Sequence, residues 1–433
     1  MKLYFQGHAE RYAVEQLQMQ LFPDDLPEVC DRPFDGDGAV SALHRGKRRV
    51  TAVTTITRGG AVARARCHIG AEQADVRAVR RLLQRSFYRA AVQLLGELPP
   101  WGALAGVRPT KLATAALLEG KTARETDRML RTEFFVTAPR RQMCVEAAEH
   151  TLAAMQELAS RDLSVYIGIP FCPTRCAYCS FVSQSIEKFG GLLEPYLDVL
   201  LREIAYTGKK LSQSGWHIRT LYMGGGTPTT LSSRQMERLL RAIRAHFDLS
   251  RCLEFTVEGG RPDTLDAEKL AVIKQGGATR ISINPQTMSD DVLRAIGRRH
   301  TAGQTLEAFR LAHAAGFEDI NMDLIAGLPC DDLASFTDSV RQILQLTPTN
   351  VTVHTLALKK GAARSWTQAQ LPGRQTVRDM LAEAARQLRA AGFLPYYLYR
   401  QKYTTGGFEN TGWCREGSPG LDNIYLLEEL HTI

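Results

Sequence analysis

The chain has 433 residues, 44% of them apolar, and a mean hydropathy of −0.20, which fits a globular protein of two or three domains. No apolar run approaches a membrane span, and Met1 to His8 lack the apolar core and cleavage site of a secretion signal, so a cytoplasmic location is expected. The formal charge of +8 raises nucleic acid as a partner, but Arg77, Arg80, Arg81, Arg85 and Arg89 lie opposite an apolar helical face of Val76, Val79, Leu83, Phe87 and Leu94, as on a solvated helix, and no nucleic-acid partner is expected.

Residues 1–158 read as an N-terminal α+β domain. A Val-, Thr- and Ala-rich run with strand-like alternation extends from Ala39 to Ile69 and is broken by Gly59 and Gly60, which predicts strands joined by a hairpin. Helical patterns follow at 72–96, 110–119 and 138–158. Between them Trp101, Arg108, Pro109 and Lys111 lie in a glycine-punctuated stretch that reads either as a packing linker or as a contact for a substrate carboxylate.

From Ser164 the pattern changes to alternating strand and helix. Strands are predicted at 164–170, 219–223, 253–258, 279–284, 318–325 and 350–358, and helices at 192–207, 232–246, 265–275, 303–315, 332–346 and 375–391. Six such units predict a parallel sheet with helical crossovers. A partial (β/α)6 barrel over 159–392 is preferred to an open doubly wound sheet, and either fold places functional residues at the C-terminal ends of strands.

The first strand runs directly into Cys172, Cys176 and Cys179. This C-x-x-x-C-x-x-C spacing lets three thiolates face one iron-sulfur cluster; a zinc site or three structural thiols are the other readings. Three thiolates on a 4Fe-4S cluster leave one iron open to a ligand, as a catalytic zinc keeps an open position. The other six cysteines are scattered, as in a reducing compartment. Gly224, Gly225, Gly226 and Thr227 follow the second strand, where the absence of Cβ atoms lets backbone approach a ligand closely. Glu258, Gln286 and Asp323 stand at or near the ends of later strands. A carboxylate in a strand covered on both faces needs a partner, and together these residues point to a ligand.

The stretch from Tyr166 through Phe181 resembles the radical S-adenosylmethionine (SAM) superfamily and, more narrowly, its oxygen-independent coproporphyrinogen III oxidase (dehydrogenase) group. The resemblance implies a 4Fe-4S cluster held by Cys172, Cys176 and Cys179. It implies SAM contacts from Tyr166, Gly224 to Thr227, Glu258, Gln286, Arg298 in a Gly-Arg-x-His segment, and Asp323 in an Asp-Leu-Ile-x-Gly-Leu-Pro segment. The implied activity is a radical SAM oxidoreductase of anaerobic heme biosynthesis. A 5'-deoxyadenosyl radical takes a hydrogen from a propionate of coproporphyrinogen III, and loss of CO2 and one electron leaves a vinyl group. The implied partners are a tetrapyrrole substrate and reduced flavodoxin or ferredoxin as electron donor. A heme-trafficking protein and a heme-opening SAM methyltransferase are the alternatives.

Three departures from the group's pattern stand out. Gly168 replaces a histidine, Phe181 stands where some of the oxidases have cysteine, and Gly259, Gly260 and Arg261 replace the usual Ala-Asn-Pro continuation after Glu258. The N-terminal extension with Gly106 to Lys111, and the stretches 393–402 and 409–413, resemble one bacterial branch of the group. Residues 393–433 are expected to form a small C-terminal extension. Its helix-like final stretch from Leu421 lacks a stop signal, so a C-terminal piece is expected to be missing.

Overall fold

The computed structural model describes the chain except for residues 24, 97, 359–365, 367–369, 402–406 and 433, so Lys402 and Ile433, which end two of the stretches singled out above, lie outside the described residues. Two compact units are present, Met1–Val145 and Glu146–Ile433.

In the first unit β1 (Lys2–Gln6), α1 (Arg11–Leu21), β2 (Glu28–Cys30), β3 (Gly38–Arg45), β4 (Arg49–Arg58) and β5 (Ala61–Gly70) build a sheet of order β2-β1-β3-β4-β5. Val50, Ala52, Thr54 and Ile56 alternate along β4 as its buried face, and Gly59 and Gly60 turn the chain into β5 with φ of 53° and 81°. α2 (Val76–Leu95) is capped by Asp75, whose carboxylate accepts from the Ala78 N–H at 2.7 Å. Its Val79, Leu83 and Phe87 share one core with Val14 and Leu17 of α1. Arg77, Arg80, Arg81 and Arg89 are exposed as expected, with Arg80 paired to Glu10 at 2.6 Å, whereas Arg85 is half-buried and Val76 in the first turn is itself exposed. α3 (Thr110–Leu118) and α4 (Ala123–Phe134) follow, the latter opened by a Thr122/Glu125 capping box. α5 (Ala138–Gln156) spans the boundary between the units.

The second unit carries an eight-stranded sheet. β6 (Asp162–Ile169) leads into the short strands β7 (Phe171–Cys172) and β8 (Gln184–Ser185), then α6 (Ile186–Phe189) and α7 (Leu193–Ser214). The repeat continues with β9 (His217–Gly225), α8 (Ser233–His246), β10 (Glu254–Gly260), α9 (Ala267–Gln275), β11 (Arg280–Gln286), α10 (Asp290–Ala295) and α11 (Ala302–Ala314). It closes with β12 (Asp319–Ala326), α12 (Leu333–Gln345), β13 (Asn350–Thr355) and α13 (Arg374–Ala390). Each predicted strand and helix of this region corresponds to one of these elements, with ends shifted by up to three residues except that α7 runs seven residues past the predicted 207, to Ser214.

The parallel strands run β6-β9-β10-β11-β12-β13 in unbroken chain order. A doubly wound sheet reverses direction part-way, so this order identifies the partial barrel. β15 (Glu409–Cys414) adds antiparallel to β13, and β14 (Leu394–Arg400) adds antiparallel to β15, so residues 393–433 extend the sheet. α14 (Leu421–Glu428) packs on both β14 and β9, strands far apart in the sheet order, so the sheet curls around it.

Strand alternation gives the sheet two unlike faces. One carries Leu221, Met223, Val257, Ile281, Ile283 and Met322, all fully buried. The other is polar in successive registers: Thr220 opposite Glu254, Glu258 opposite Ser282, Ser282 opposite Asn321, and Asp323 opposite Thr352. Polar groups on an enclosed face require partners or a ligand. α14 supplies partners at one level, where Asp422 accepts from Thr220 Oγ1 at 2.7 Å and Glu254 accepts from the Leu421 N–H at 2.7 Å. Nearer the C-terminal strand ends the polar face opens into a cavity.

Candidate functional site

The cysteine loop is held at both ends by backbone. Cys172 closes β7, Thr227 N–H donates to the Phe171 carbonyl at 2.8 Å, and Ala177 N–H donates to the Ile296 carbonyl at 3.1 Å. Thr227 Oγ1 also donates to Cys172 Sγ at 3.5 Å. The glycines have distinct uses. A Cβ on Gly226 would lie 2.6 Å from the Phe171 carbonyl and 2.9 Å from Cys172 Sγ, and Gly225 sits at φ 115°. A Cβ on Gly224 would press on Tyr222 and on Glu258 Oε2 at 3.0 Å. Burial pushes the Cys179 thiol up, helped by Cys176 and Cys172 and opposed by a hydrogen bond from the Phe181 backbone.

A cavity of about 370 Å³ lies between this loop and the polar strand ends. It brings together Cys172, Cys176, Cys179, Gly225, Gly226, Thr227, Glu258, Gln286, Arg298 and Asp323. Tyr166 and Gly224 stand beside it: Tyr166 stacks on Tyr222, a wall residue, with centroids 6.0 Å apart at 11°.

Each strand-end residue has a physical setting. Tyr222 O–H donates to Glu258 Oε1 at 2.5 Å, yet burial dominates and pushes the Glu258 carboxyl up to about 7. Burial also acts on Asp323, but His354, Asn321 and Thr352 outweigh it and hold that carboxyl below its ordinary value. Asn321 Nδ2 donates to Asp323 Oδ1 at 2.8 Å, and His354 Nε2 lies 3.7 Å from Asp323 Oδ2. Gln286 takes φ 72°, a left-handed conformation rare outside glycine, and its buried Oε1 has no partner. Arg298 is buried; its guanidinium donates to the Asn284 carbonyl and engages Cys176 and Tyr178.

Tyr222, Arg261, Asn321, His354, Tyr397 and Tyr399 also line the cavity and are not among the site residues expected from the sequence. The period-two alternation was a usable signal for Tyr222, Asn321 and His354, since each shares the inward face of its strand with Thr220, Asp323 or Thr352. No local signal marked Tyr397 or Tyr399, whose strand β14 was not predicted.

Residues 166–343 match the family model described as the radical SAM superfamily. Over 338 residues the chain is 38% identical to the oxygen-independent coproporphyrinogen-III oxidase-like protein HemZ of Bacillus subtilis (strain 168), covering 77% of this chain and 68% of that protein. The chain belongs to this radical SAM family. It is also 30% identical over 254 residues to the heme chaperone HemW of Escherichia coli (strain K12), covering 58% of this chain and 64% of that one. Among solved structures it is similar to the coproporphyrinogen III oxidase HemN of Escherichia coli, described as a radical SAM enzyme, at 27% identity and a TM-score of 0.52, covering 61% of this chain and 58% of that one.

Radical SAM proteins bind a 4Fe-4S cluster and SAM, and the residues here fit both. The donor set at the loop is three thiols and Gly226 leaves the space beside Cys172 clear. Among the described residues no group of three or more Cys, His, Asp or Glu side chains is placed to hold a single metal ion. The unpartnered Gln286 Oε1 and the half-buried Glu258 offer acceptors for a cationic amino acid moiety. Among the described residues no helix is long and apolar enough to cross a membrane.

Proposed function

We propose that this chain is a radical SAM oxidoreductase that decarboxylates the propionates of coproporphyrinogen III to vinyl groups in anaerobic heme biosynthesis. The observation that carries the reading is the convergence of three cysteines and three strand-end polar residues, Glu258, Gln286 and Asp323, on one cavity. The likeness to HemN and to a HemZ-named relative supports the substrate class.

In this reading Cys172, Cys176 and Cys179 hold the cluster, and Gly224 to Thr227, Glu258, Gln286, Arg298 and Asp323, with Tyr166 behind Tyr222, form the SAM site. Cluster and SAM together supply, when bound, one-electron chemistry strong enough to remove an unactivated hydrogen atom. The chain's own work is binding and placement. Glu258, once ionised, accepts from the ligand's ammonium group. Arg298 places fixed positive charge beside Cys176 and offsets the negative charge of thiolate ligands. Tyr222, Tyr397 and Tyr399 wall the cavity and keep water from a reactive species. Removal of a hydrogen atom and loss of CO2 need no protein base, and the one electron released with each CO2 passes to an external one-electron acceptor.

A second reading, heme handling without turnover, draws on the heme chaperone relatives and on Phe181, which is 70% exposed beside the cysteine loop where a planar apolar ligand can stack. Anaerobic incubation of reconstituted protein with SAM, dithionite and coproporphyrinogen III separates the readings. Decarboxylated porphyrinogen with released CO2 supports the oxidase; 5'-deoxyadenosine without loss of any carboxylate overturns it; stoichiometric heme retention without turnover favours the second reading.

A further inference from the structure

The formal charge of the chain is not shared between its two units. Of 54 Lys and Arg and 46 Asp and Glu, residues 1–145 hold 23 and 15 and the remainder holds 31 and 31, so the whole excess of +8 lies in the first unit. The arginines of α2, from which no nucleic-acid partner is expected, are only part of that excess. From Gly38 to Ala71, through β3, β4 and β5, the chain has seven Lys and Arg, two histidines and not one carboxylate.

Register gathers these groups on one side of the sheet. α2 packs on the face of Val50, Ala52 and Ile56. On the opposite face three rows cross the strands: Tyr4 beside Val40, Thr55 and Arg64; Gln6 beside Ala42, Val53 and Arg66; and His44 beside Thr51 and His68. Arg64, Arg66 and His68 alternate about 6.7 Å apart along β5, the edge strand, and all three are exposed. At the end of the rows the turn between β3 and β4 adds Arg45, Lys47, Arg48 and Arg49, also exposed. Arg58 pairs with Asp25 at 3.1 Å, but among the described residues none of these other six cations has an ion pair.

The chemistry of the face selects its partner. Unpaired cations spread over about 20 Å of strand suit a chain of repeated anions. They are interleaved with the rings of Tyr4, His44 and His68 and the hydroxyls of Thr51 and Thr55, which supply planes for base stacking and donors for phosphate. A protein interface is anchored by a desolvated core depleted of charge, and a membrane surface by inserted apolar groups. On these strands the one exposed large apolar side chain is Val62. A tetrapyrrole polycarboxylate needs an enclosing apolar pocket, and no residue of this sheet lines the cavity described above. We infer that the face of β3, β4 and β5 turned away from α2 binds single-stranded nucleic acid, with Arg64, Arg66 and the turn cations on phosphates and Tyr4 under a base. This site is independent of the radical SAM reading.

The test is fluorescence anisotropy of a labelled single-stranded RNA of about twelve nucleotides titrated with the full chain. With about four phosphates neutralised, wild-type affinity is expected to fall about fiftyfold between about 50 and 200 mM salt. Arg64→Glu/Arg66→Glu should bind about tenfold more weakly with a shallower salt dependence, and Arg64→Gln/Arg66→Gln, which puts no negative charge on the strand, should fall between it and wild type. Tyr4→Ala should bind severalfold more weakly at an unchanged salt slope, because stacking releases no counterions. Arg77→Glu/Arg124→Glu makes the same change of charge on exposed positions of α2 and α4 and should bind within about twofold of wild type. Circular dichroism and melting curves check that each variant is folded. Equal affinity in wild type and both β5 variants overturns the site, as does an equal loss in the α2 and α4 control. An affinity for polyglutamate or for vesicles of anionic lipid as high as that for RNA overturns it too.

Discussion

Arg261 grips the cysteine loop through Thr174: Nη1 donates to Thr174 Oγ1 at 2.6 Å, while Nε and Nη2 hold Asp263 at 3.0 and 2.8 Å. Arg261 stands in one of the positions where the chain departs from its family's pattern, and it ties the end of β10 to the segment between Cys172 and Cys176. Removing one partner of a buried pair strands the other charge. Arg261→Ala is therefore expected to lower stability by about 3 kcal/mol and to speed cluster loss in air severalfold. Arg261→Lys restores only part of the effect, because an ammonium group cannot serve Thr174 and Asp263 in one fork. Thermal unfolding and the decay of visible absorbance after exposure to air check this.

Gly226→Ala probes the other side of the loop. Its Cβ would meet the Phe171 carbonyl and Cys172 Sγ, neither of which can swing away. Iron content after reconstitution should fall well below wild type while far-ultraviolet circular dichroism is retained. Gly59→Ala in the hairpin turn, which has open space around it, serves as the control with normal iron.

If Glu258 holds SAM as proposed, binding is expected to depend on pH. With its carboxyl raised to about 7, a proton competes with the ligand's ammonium group below neutrality. Affinity is expected to rise from pH 6 to pH 8 in wild type. Glu258→Gln, which keeps the shape and loses the charge, should bind about tenfold more weakly at pH 8 and show little pH dependence, as read by calorimetry.

Asp422 gives a stability prediction of definite sign. Burial raises its carboxyl to about 7 although Thr220 donates to it. The folded state therefore holds a proton that the unfolded chain releases near pH 4, and stability falls as pH rises from about 4 to 7. Asp422→Asn removes the penalty on ionisation and is expected to be more stable than wild type at pH 8, by on the order of 3 kcal/mol, with the gap closing at pH 4. Melting curves at the two pH values measure it.

The barrel was legible because its strands are fully buried on one face: runs such as Ile281 to Ile283 and Ile320 to Leu324 announce themselves by composition, and capping residues such as Ser232 and Asp332 mark where helices begin. The cysteine loop was legible from spacing alone. What escaped was long-range. The pairing of Tyr222 with Glu258 bridges two strands, and that of Arg261 with Thr174 spans 87 positions, so neither leaves a local pattern. β14 was missed because Pro395 interrupts it, and α14 as the partner of Glu254 and Thr220 was visible only as an amphipathic tail. In the first unit α4 escaped because its charged sequence has few apolar positions, although the Thr122/Glu125 signature was present.

The assignment of Cys172, Cys176 and Cys179 to one cluster is tested directly by one substitution. Wild-type protein reconstituted anaerobically should hold about four irons per chain with a brown absorbance, and Cys176→Ala should lose both while remaining folded. Retention of the brown colour and of about four irons by Cys176→Ala would contradict the assignment of Cys172, Cys176 and Cys179 as the cluster ligands.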